Sequence, residues 1–255
     1  MKNMKPEKEK KYFRKASMYE MLAAYYKYTN MDLHIYYYKK HLKYLRKAIA
    51  LDQMHTRNIR TNGNNALVRV LHAAPGAPHV DVYVNGTRIL ADFPYKKSTD
   101  YLPLPEGTYQ IDIYPAGDKV NNVISRKVEV KNGKYYTLAA YGQGKNLKLL
   151  AFEDNPYTNK GESKIRVVHL SPDSPAVDVA VRNGDVAFRN INPRKASDYL
   201  HVTPMELDLD VRAAGSSQTV KSLPRIRLQP DTAYTVFIIG LLEGQPSLEA
   251  IMLSP

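Results

Sequence analysis

The hydrophobic positions of the chain follow two different periods, and the change comes near residue 62. In the first part, helix formers dominate and apolar side chains recur at alternating intervals of four and three, the spacing of one helix face. The pattern predicts a helical hairpin over about 7–28 and 31–54, with Asn30 or Thr29 capping the second helix. Its predicted stripes are Met18, Leu22 and Tyr25 in the first helix and Met31, Ile35, Tyr38, Leu42, Leu45 and Ile49 in the second.

Beyond residue 62 the hydrophobic positions alternate with a period of two, which is typical of half-buried strands. Val80, Val82 and Val84 face one way, and Asp81 faces the other. Asn-Gly pairs separate several of these runs and predict two-residue hairpin turns of type I′. The pairs are Asn85-Gly86, Asn132-Gly133 and Asn183-Gly184.

This second part of the chain is an internal duplication. The stretch "VRVLHAAPGAPHVDVYV" from Val68 matches "IRVVHLSPDSPAVDVAV" from Ile165 at nine of 17 positions. Many short strands with closely spaced turns predict a mainly β fold of two tandem immunoglobulin-like antiparallel β-sandwich domains, with about seven strands each, behind an α-helical hairpin. The predicted domains are 1–62, 63–156 and 157–255, and the polar stretch "EDNPYTNKGES" links the last two.

The pattern R-V-x-H-x-x-P-x-x-P-x-V-D-V, present in both copies, resembles the hallmark of the domain of unknown function 4397 family. The resemblance covers Ala66 to Pro255 and departs from the hallmark at Ala180, where the first copy has Tyr83. It implies tandem β-sandwiches in envelope proteins of bacteria and archaea, and it supplies no catalytic residues. The basic, Tyr-rich leader resembles that of versions from spore-forming bacilli, which implies a spore coat or cell surface setting.

Charge, like the hydrophobic periodicity, differs between the two parts of the chain. The net charge is +12, and residues 1–62 hold 15 Lys and Arg against 5 Asp and Glu, together with nine of the 20 Tyr. With no Cys, the chain has no disulfide, thiolate zinc site or Cys nucleophile. The charged start predicts no signal peptide, and no run of about 20 apolar residues predicts a membrane span. We therefore expect synthesis in the cytoplasm and deposition on the spore surface.

The repeated motif has a structural and a functional interpretation. In the first, Arg69 pairs with Asp81 on an outer sheet face, as Arg166 does with Asp178, while His72 and His169 bond to loop carbonyls. Prolines hold the link between the strands extended. They are Pro75, Pro78, Pro172 and Pro175. In the second, His72 with Asp81, or His169 with Asp173, forms a metal or glycan site. The sequence favours the structural interpretation, with no metal, since carboxylates at the spacing that calcium needs are missing.

The leader is the predicted surface for a partner. Its tyrosines either pack the hairpin or, with the lysines, bind an anionic polymer or mediate self-association. The candidate binding residues are Tyr36, Tyr37, Lys39, Lys40, Lys43, Arg46 and Lys47. His34 and His41, seven residues apart, form only a weak metal pattern because no carboxylate accompanies them.

No motif indicates catalysis, because HExxH, the P-loop and G-x-S-x-G patterns are all missing. We expect a non-enzymatic structural or adhesive protein of a bacterial cell or spore surface, with two rigid β-sandwich modules and a leader for attachment or assembly. Its partners would be other surface or coat proteins or further copies of itself. The alternative is a binding module for an anionic envelope polymer or a glycan. Neither hypothesis needs a cofactor or a small-molecule substrate.

Overall fold

A computed structural model describes residues 7–61, 65–118 and 120–255. Side chains are described for the same residues, except for 7–10 and 49–61. The chain divides into two compact units, residues 1–63 and residues 64–255. The first contains helices α1 (Glu7–Tyr26) and α2 (Met31–Thr61), so the predicted helical hairpin is confirmed and its second helix is longer than expected. Neither helix, over the described residues, is long and apolar enough to cross a membrane.

A ladder of tyrosine rings fills the seam between α1 and α2. Rings from the two helices alternate along it, with centroids 5.4–6.2 Å apart. The order is Tyr12, Tyr44, Tyr19, Tyr37 and Tyr26. Within each helix these tyrosines are seven residues apart, so every second turn returns a ring to the same face. Asn30 caps α2, since its side-chain oxygen accepts a hydrogen bond from the amide of Leu33 at 3.1 Å.

The buried stripe of α2 lies one residue before the predicted one. His34 and His41 donate from Nδ1 to the carbonyls of Ala23 and Ala16, at 2.8 and 3.0 Å. The seam therefore follows the stripe His34, Tyr37, His41, Tyr44 and Ala48. Met31, Ile35 and Tyr38 of the predicted stripe are exposed and lie outside the seam. The side chain of Ile49, the last predicted member of the stripe, is not among those described. The predicted domain boundary at residue 62 also lies outside the described residues.

The first repeat is a sandwich of two four-stranded sheets. One sheet has the order β4-β1-β7-β8 and the other β3-β2-β5-β6. The strands are β1 (Asn65–His72), β2 (Val80–Val84), β3 (Thr87–Phe93), β4 (Leu102–Pro105), β5 (Gly107–Pro115), β6 (Ile124–Val130), β7 (Tyr135–Tyr141) and β8 (Lys148–Asp154).

The second repeat has the same topology, with sheets β12-β9-β15-β16 and β11-β10-β13-β14. Its strands are β9 (Ser163–His169), β10 (Val177–Val181), β11 (Val186–Ile191), β12 (Leu200–Val202), β13 (Met205–Ala213), β14 (Thr219–Leu228), β15 (Thr232–Ile239) and β16 (Glu249–Leu253). The predicted fold class is confirmed, with eight strands per copy rather than about seven. In each copy one pair is parallel, β1 with β7 and β9 with β15.

Alternation along β1 and β9 divides their side chains between two cores. Val68 and Val70 point into the first sandwich, as Ile165 and Val167 point into the second. The opposite face of each strand contributes to a third core, formed between the two repeats. Its buried members are Leu71, Ala73, Ala139, Tyr141, Val168, Leu170, Phe237 and Ile239. The two repeats thus pack face to face, through the sheet that contains β1 and the sheet that contains β9.

The Asn-Gly turns differ from one another. Asn85 and Gly86 both have positive φ, 49° and 76°, and join β2 to β3 in the predicted type I′ turn. The type I′ prediction is wrong at Asn132-Gly133 and Asn183-Gly184, where only one residue of each pair has positive φ. Asn132-Gly133 connects strands of different sheets, and Asn183-Gly184 belongs to a longer turn in which the amide of Val181 bonds to the carbonyl of Asp185.

Candidate functional sites

The arginines of the repeated motif converge on one buried carboxylate, that of Asp154 at the end of β8. Arg166 bonds directly to this carboxylate, and a guanidinium nitrogen of Arg69 lies 3.7 Å from it. The hydroxyls of Thr137 and Tyr101 also donate to it, both at 2.6 Å. All three charged side chains are at most 5% exposed. The cluster therefore consists of two cations and one anion sealed between the repeats.

Each arginine also crosses to the other repeat. Arg69 donates to the carbonyl of Ser254 at 3.0 Å, and Arg166 donates to the carbonyl of Glu153 at 2.8 Å. Glu153 and Ser254 occupy equivalent positions, five residues after the start of the last strand of their repeats, so the two contacts are related by a pseudo-twofold axis. The motif arginines therefore join the two copies rather than brace one copy each.

Aromatic rings cover this cluster. Arg69 lies 4.7 Å from the centroid of Tyr101, and Arg166 lies at the same distance from Tyr199. Lys164 is also buried, with its ammonium 4.6 Å from the Tyr199 ring. Burial raises the pKa of Tyr101, and the Asp154 carboxylate raises it further, so the phenol stays a hydrogen-bond donor.

The predicted pairs Arg69–Asp81 and Arg166–Asp178 are wrong. β1 and β2 lie in different sheets, as do β9 and β10, so the residues of each pair never share a face. Asp81 instead accepts hydrogen bonds from Arg88 at 3.1 Å and from the amide of Asp92 at 2.8 Å. The Asp92 amide contributes most to a pKa of Asp81 below its usual value.

Asp178 is the equivalent loop brace in the second repeat. The amides of Asn190 and Gly215 donate to its two carboxylate oxygens at 2.7 and 3.0 Å. Burial raises its pKa, but these two hydrogen bonds and nearby arginines outweigh that effect, so the pKa lies below the usual value. Asp178 therefore ties its β-hairpin to the turn at Gly215, and a hydrogen bond from the amide of Gly117 does the same for Asp81.

The two motif histidines bond to loop carbonyls, as predicted. His72 donates from Nε2 to the carbonyl of Pro78 at 3.1 Å, and His169 donates in the same way to Pro175 at 2.9 Å. Both rings are buried, and burial lowers the pKa of each, partly offset by the hydrogen bond to proline. Neutral rings are therefore expected at neutral pH.

The proline-rich loops are closed by the same histidines. Each spans six residues from its histidine to the carbonyl that it binds, at Pro78 and Pro175. Pro75 and Pro172 lie within these loops, where proline holds the backbone extended. Asp173, in the second loop, accepts from the amides of Leu242 and Glu243.

Metal-binding geometry is missing from the described part of the chain. No three His, Asp or Glu side chains there lie close enough to hold an ion. In the leader, His34 and His41 bond to backbone carbonyls of α1, which gives both a structural role.

Most of the candidate binding residues of the leader lie on its surface. Tyr36 is exposed, and the ammonium of Lys40 lies 5.3 Å from its ring centroid. Lys39, Lys43, Arg46 and Lys47 are exposed as well. Tyr37 is different, because its ring stacks in the seam between Tyr19 and Tyr26. Of the predicted binding residues, Tyr36 and the basic residues therefore lie at the surface, and Tyr37 lies behind them.

The residue that the sequence analysis missed is Asp154. Its position in a polar stretch suggested a linker, yet it closes β8 and accepts from both halves of the molecule. The alternation of β8 contained the clue, because Asp154 shares a strand face with Leu150 and Phe152, which pack into the core between the repeats.

Two sandwiches of identical topology, joined by a duplicated motif, define a tandem β-sandwich protein. The chain belongs to the family described as Domain of unknown function (DUF4397), whose model matches residues 66–180 and 163–254. No curated protein matches the chain.

Solved structures show only distant likeness. The C-terminal domain of AlgF from P. aeruginosa is 16% identical with a TM-score of 0.30, and the match covers 38% of this chain and all of that one. The Bacillus anthracis TIE protein is 11% identical with a TM-score of 0.24, over 75% of this chain and 44% of that one. A candidate cell adhesion protein from Bacteroides fragilis is 10% identical with a TM-score of 0.19, over 74% and 97%.

Proposed function

We propose that the chain is a non-enzymatic structural protein of a bacterial cell or spore surface, such as the spore coat, and that its helical hairpin attaches or assembles it. The paired sandwiches form the rigid part. Their motif arginines, histidines and aspartates are used in internal contacts, which supports a structural role for the motif. The resemblance to envelope members of the family favours the surface setting. Turnover of chromogenic esters, glycosides or phosphates above background would contradict the non-enzymatic part.

The observation that carries this proposal is the exposed apolar stripe on α2. Met31 is 61% exposed, Tyr38 is 50% and Ile35 is 43%. Their spacing of four and three matches the seam of a coiled coil. Apolar side chains that recur on one helix face are normally covered by another element. A helix of a second protein, or of another copy, would fit this face.

Charge restricts which helix fits. Lys39 and Arg46 lie seven residues apart on the flank of the stripe and are exposed. Flanking charges of a coiled-coil seam choose the partner by complementarity. A helix with acidic residues at the facing positions is therefore favoured over a second copy of this basic leader, and we propose a surface or coat protein as the partner.

The test uses the full chain with Ile35→Ser and Tyr38→Ser together, and Val120→Ser as the control. Val120 is 84% exposed in the first repeat, outside the helical unit. Co-sedimentation with isolated surface or coat fractions is measured, with light scattering to record any self-association. We expect the double variant to lose binding and the control to keep it. Binding that is the same for all three proteins would refute attachment through the stripe.

A second function is favoured by the lysines that lie over tyrosine rings. Lys15, Lys27, Lys40 and Lys47 lie 5.2–5.8 Å from the ring centroids of Tyr44, Tyr28, Tyr36 and Tyr12. Such pairs hold positive charge at the helix surface and suit an anionic polymer. Binding to that polymer should weaken steeply between about 50 and 200 mM salt. Binding unaffected by salt would contradict this function.

A further inference from the structure

A basic cleft lies where the two repeats meet. It has a volume of about 750 Å³ and is open to solvent. The β7–β8 loop of the first repeat forms one wall, with Lys145 and Lys148. The second repeat contributes Pro172 from its proline-rich loop and Arg194 from the turn after β11. Among residues 65–118 and 120–255, no acidic one lines the cleft.

The pseudo-twofold axis identifies the counterparts of two of these cations. Arg194 corresponds to Lys96, because both have positive φ (68° and 71°) and donate their amide to the carbonyl of the motif histidine at 2.8–2.9 Å. Lys148 corresponds to Glu249. Each is the first residue of the last strand in its repeat, and each pairs with the residue just before the glycine that follows the preceding strand. On the opposite side of the axis, Lys96 and Glu249 form an ion pair across the repeats at 2.7 Å.

The same two positions therefore hold opposite charges on one side of the axis and like charges on the other. Lys148 stands where symmetry would place a glutamate, and Lys145 adds a third cation. Within the described part of the chain, these three side chains make no ion pair or hydrogen bond. Like charges that line one cleft repel, and an anion bound among them would lower that repulsion.

Asp173, which follows the lining residue Pro172, does not supply that compensation. Asp173 accepts hydrogen bonds from the amides of Leu242 and Glu243 at 2.8 and 3.0 Å and from the hydroxyl of Ser171 at 3.0 Å. Its hydrogen-bonding capacity is directed at the loop of its own repeat. The three cations thus face the cleft without an ion-pair partner among the residues that the structure describes.

The remaining lining indicates the size and polarity of a ligand. Tyr141, Pro172 and Pro193 supply apolar surface, while Gln143 and Asn146 supply side-chain amides. Pockets that combine apolar walls with a few polar groups suit small organic ligands rather than bare ions. A volume of about 750 Å³ is large enough for a disaccharide or a sugar phosphate.

We propose that this cleft binds a small polyanion of saccharide size, with Arg194, Lys145 and Lys148 holding its negative groups. Carboxylates of a uronic-acid sugar and phosphates of a phosphorylated sugar share this chemistry, because arginine and lysine bind both. The site lies in the β-sandwich unit and is independent of the helical hairpin and of the function proposed for it.

The test is calorimetric titration of the full chain with inorganic pyrophosphate, a digalacturonate and neutral maltose, at low ionic strength. We expect one or both charged probes to bind and maltose not to bind; the probe that binds distinguishes phosphate from carboxylate. Lys148→Glu should weaken binding at least about tenfold. Lys131→Glu, the same charge change at an exposed turn of the first repeat, should leave it unchanged. Failure of both charged probes to bind the wild type, or equal binding to wild type and Lys148→Glu, would overturn the proposal.

Two further variants separate this cleft from the basic leader and test its internal charge. Lys39→Gln with Lys43→Gln, both in α2, should not alter the titration; if they abolish it, the anion binds to the leader. Lys148→Glu should also raise the urea midpoint relative to Lys148→Gln, since the glutamate would restore the ion pair seen between Lys96 and Glu249. A midpoint below that of Lys148→Gln would show that Arg194 and Lys148 do not face each other.

Discussion

Replacing Asp154 by Asn removes the anion that faces Arg69 and Arg166 while keeping the shape of the side chain. Arg69 and Arg166, each at most 5% exposed, would then remain charged without a counter-ion. Removing one partner of a buried ion pair costs about 3–5 kcal/mol, because the remaining charge is left uncompensated. The amide oxygen can still accept from Thr137 or Tyr101, so we expect the lower part of this range, about 3 kcal/mol.

The loss should be measured as the free energy of urea unfolding, followed by hydrogen exchange in β1 and β9. The chain has no Trp and many of its Tyr lie in the leader, so exchange at these strands reports on the repeats alone. The control is Glu153→Gln, one residue earlier, where an exposed carboxylate pairs with Lys134. We expect a much smaller change there, because exposed ion pairs contribute little.

Two results would refute this reasoning about the cluster. A loss below about 1 kcal/mol for Asp154→Asn would mean that the arginines are compensated elsewhere. The triple variant Arg69→Met, Arg166→Met and Asp154→Leu should recover most of the stability, since apolar replacement of a whole buried cluster is often neutral. A triple variant less stable than Asp154→Asn would show that the cluster contributes more than the balance of its charges.

Three further predictions concern the motif and the loops around it. Asp81→Ala should lower the free energy of unfolding by about 1–3 kcal/mol in a urea titration, because its loop hydrogen bonds are lost. The control is Asp112→Ala, at a partly exposed aspartate of β5, which should have a milder effect in the same titration. Burial lowers the pKa of His72 and His169 below the ordinary histidine value near 6.5. Between that value and the lower folded pKa, the unfolded chain binds more protons than the folded chain does. The free energy of unfolding should therefore be full above the ordinary value and fall as the pH drops towards the folded pKa, by at most about 1.4 kcal/mol per pH unit for each histidine. Replacing both histidines by Gln should flatten that profile, and an unchanged slope would assign it to other groups. Gly240→Ala should destabilise more than Gly215→Ala in thermal melts, since both have positive φ but only at Gly240 would a Cβ lie 2.3 Å from a backbone oxygen, that of Ser247.

Local patterns were sufficient to predict the strands and the role of the histidines. Alternation placed Val68 and Val70 on one face of β1 and Arg69 on the other, and the structure has the same division. The histidine contacts span only six residues, so they too are local. What a local pattern could not supply was the sheet to which each strand belongs, and the Arg69–Asp81 pairing failed for that reason.

The arginine cluster depends on contacts between residues that lie still farther apart in the sequence. Its carboxylate comes from the end of β8, and its second arginine belongs to the other repeat. The duplication shows that two similar sheets exist, but nothing in one copy indicates which faces meet. In the leader, α2 has two neighbouring stripes of residues at helical spacing. The seam between the helices uses the stripe of Tyr and His residues and not the more apolar stripe.

The face-to-face packing of the repeats has the geometry of a symmetric homodimer. Arg69 reaches the carbonyl of Ser254 and Arg166 reaches that of Glu153, so each copy uses the same surface to bind the other. Fusing two such subunits in one chain fixes their stoichiometry and lets the copies evolve separately. Lys148 and Glu249 show that divergence, since a change allowed in one half need no longer appear in the other. A single-copy relative that pairs with itself would have to place the same residue on both sides of the axis, and so could not combine an ion pair on one side with a basic cleft on the other.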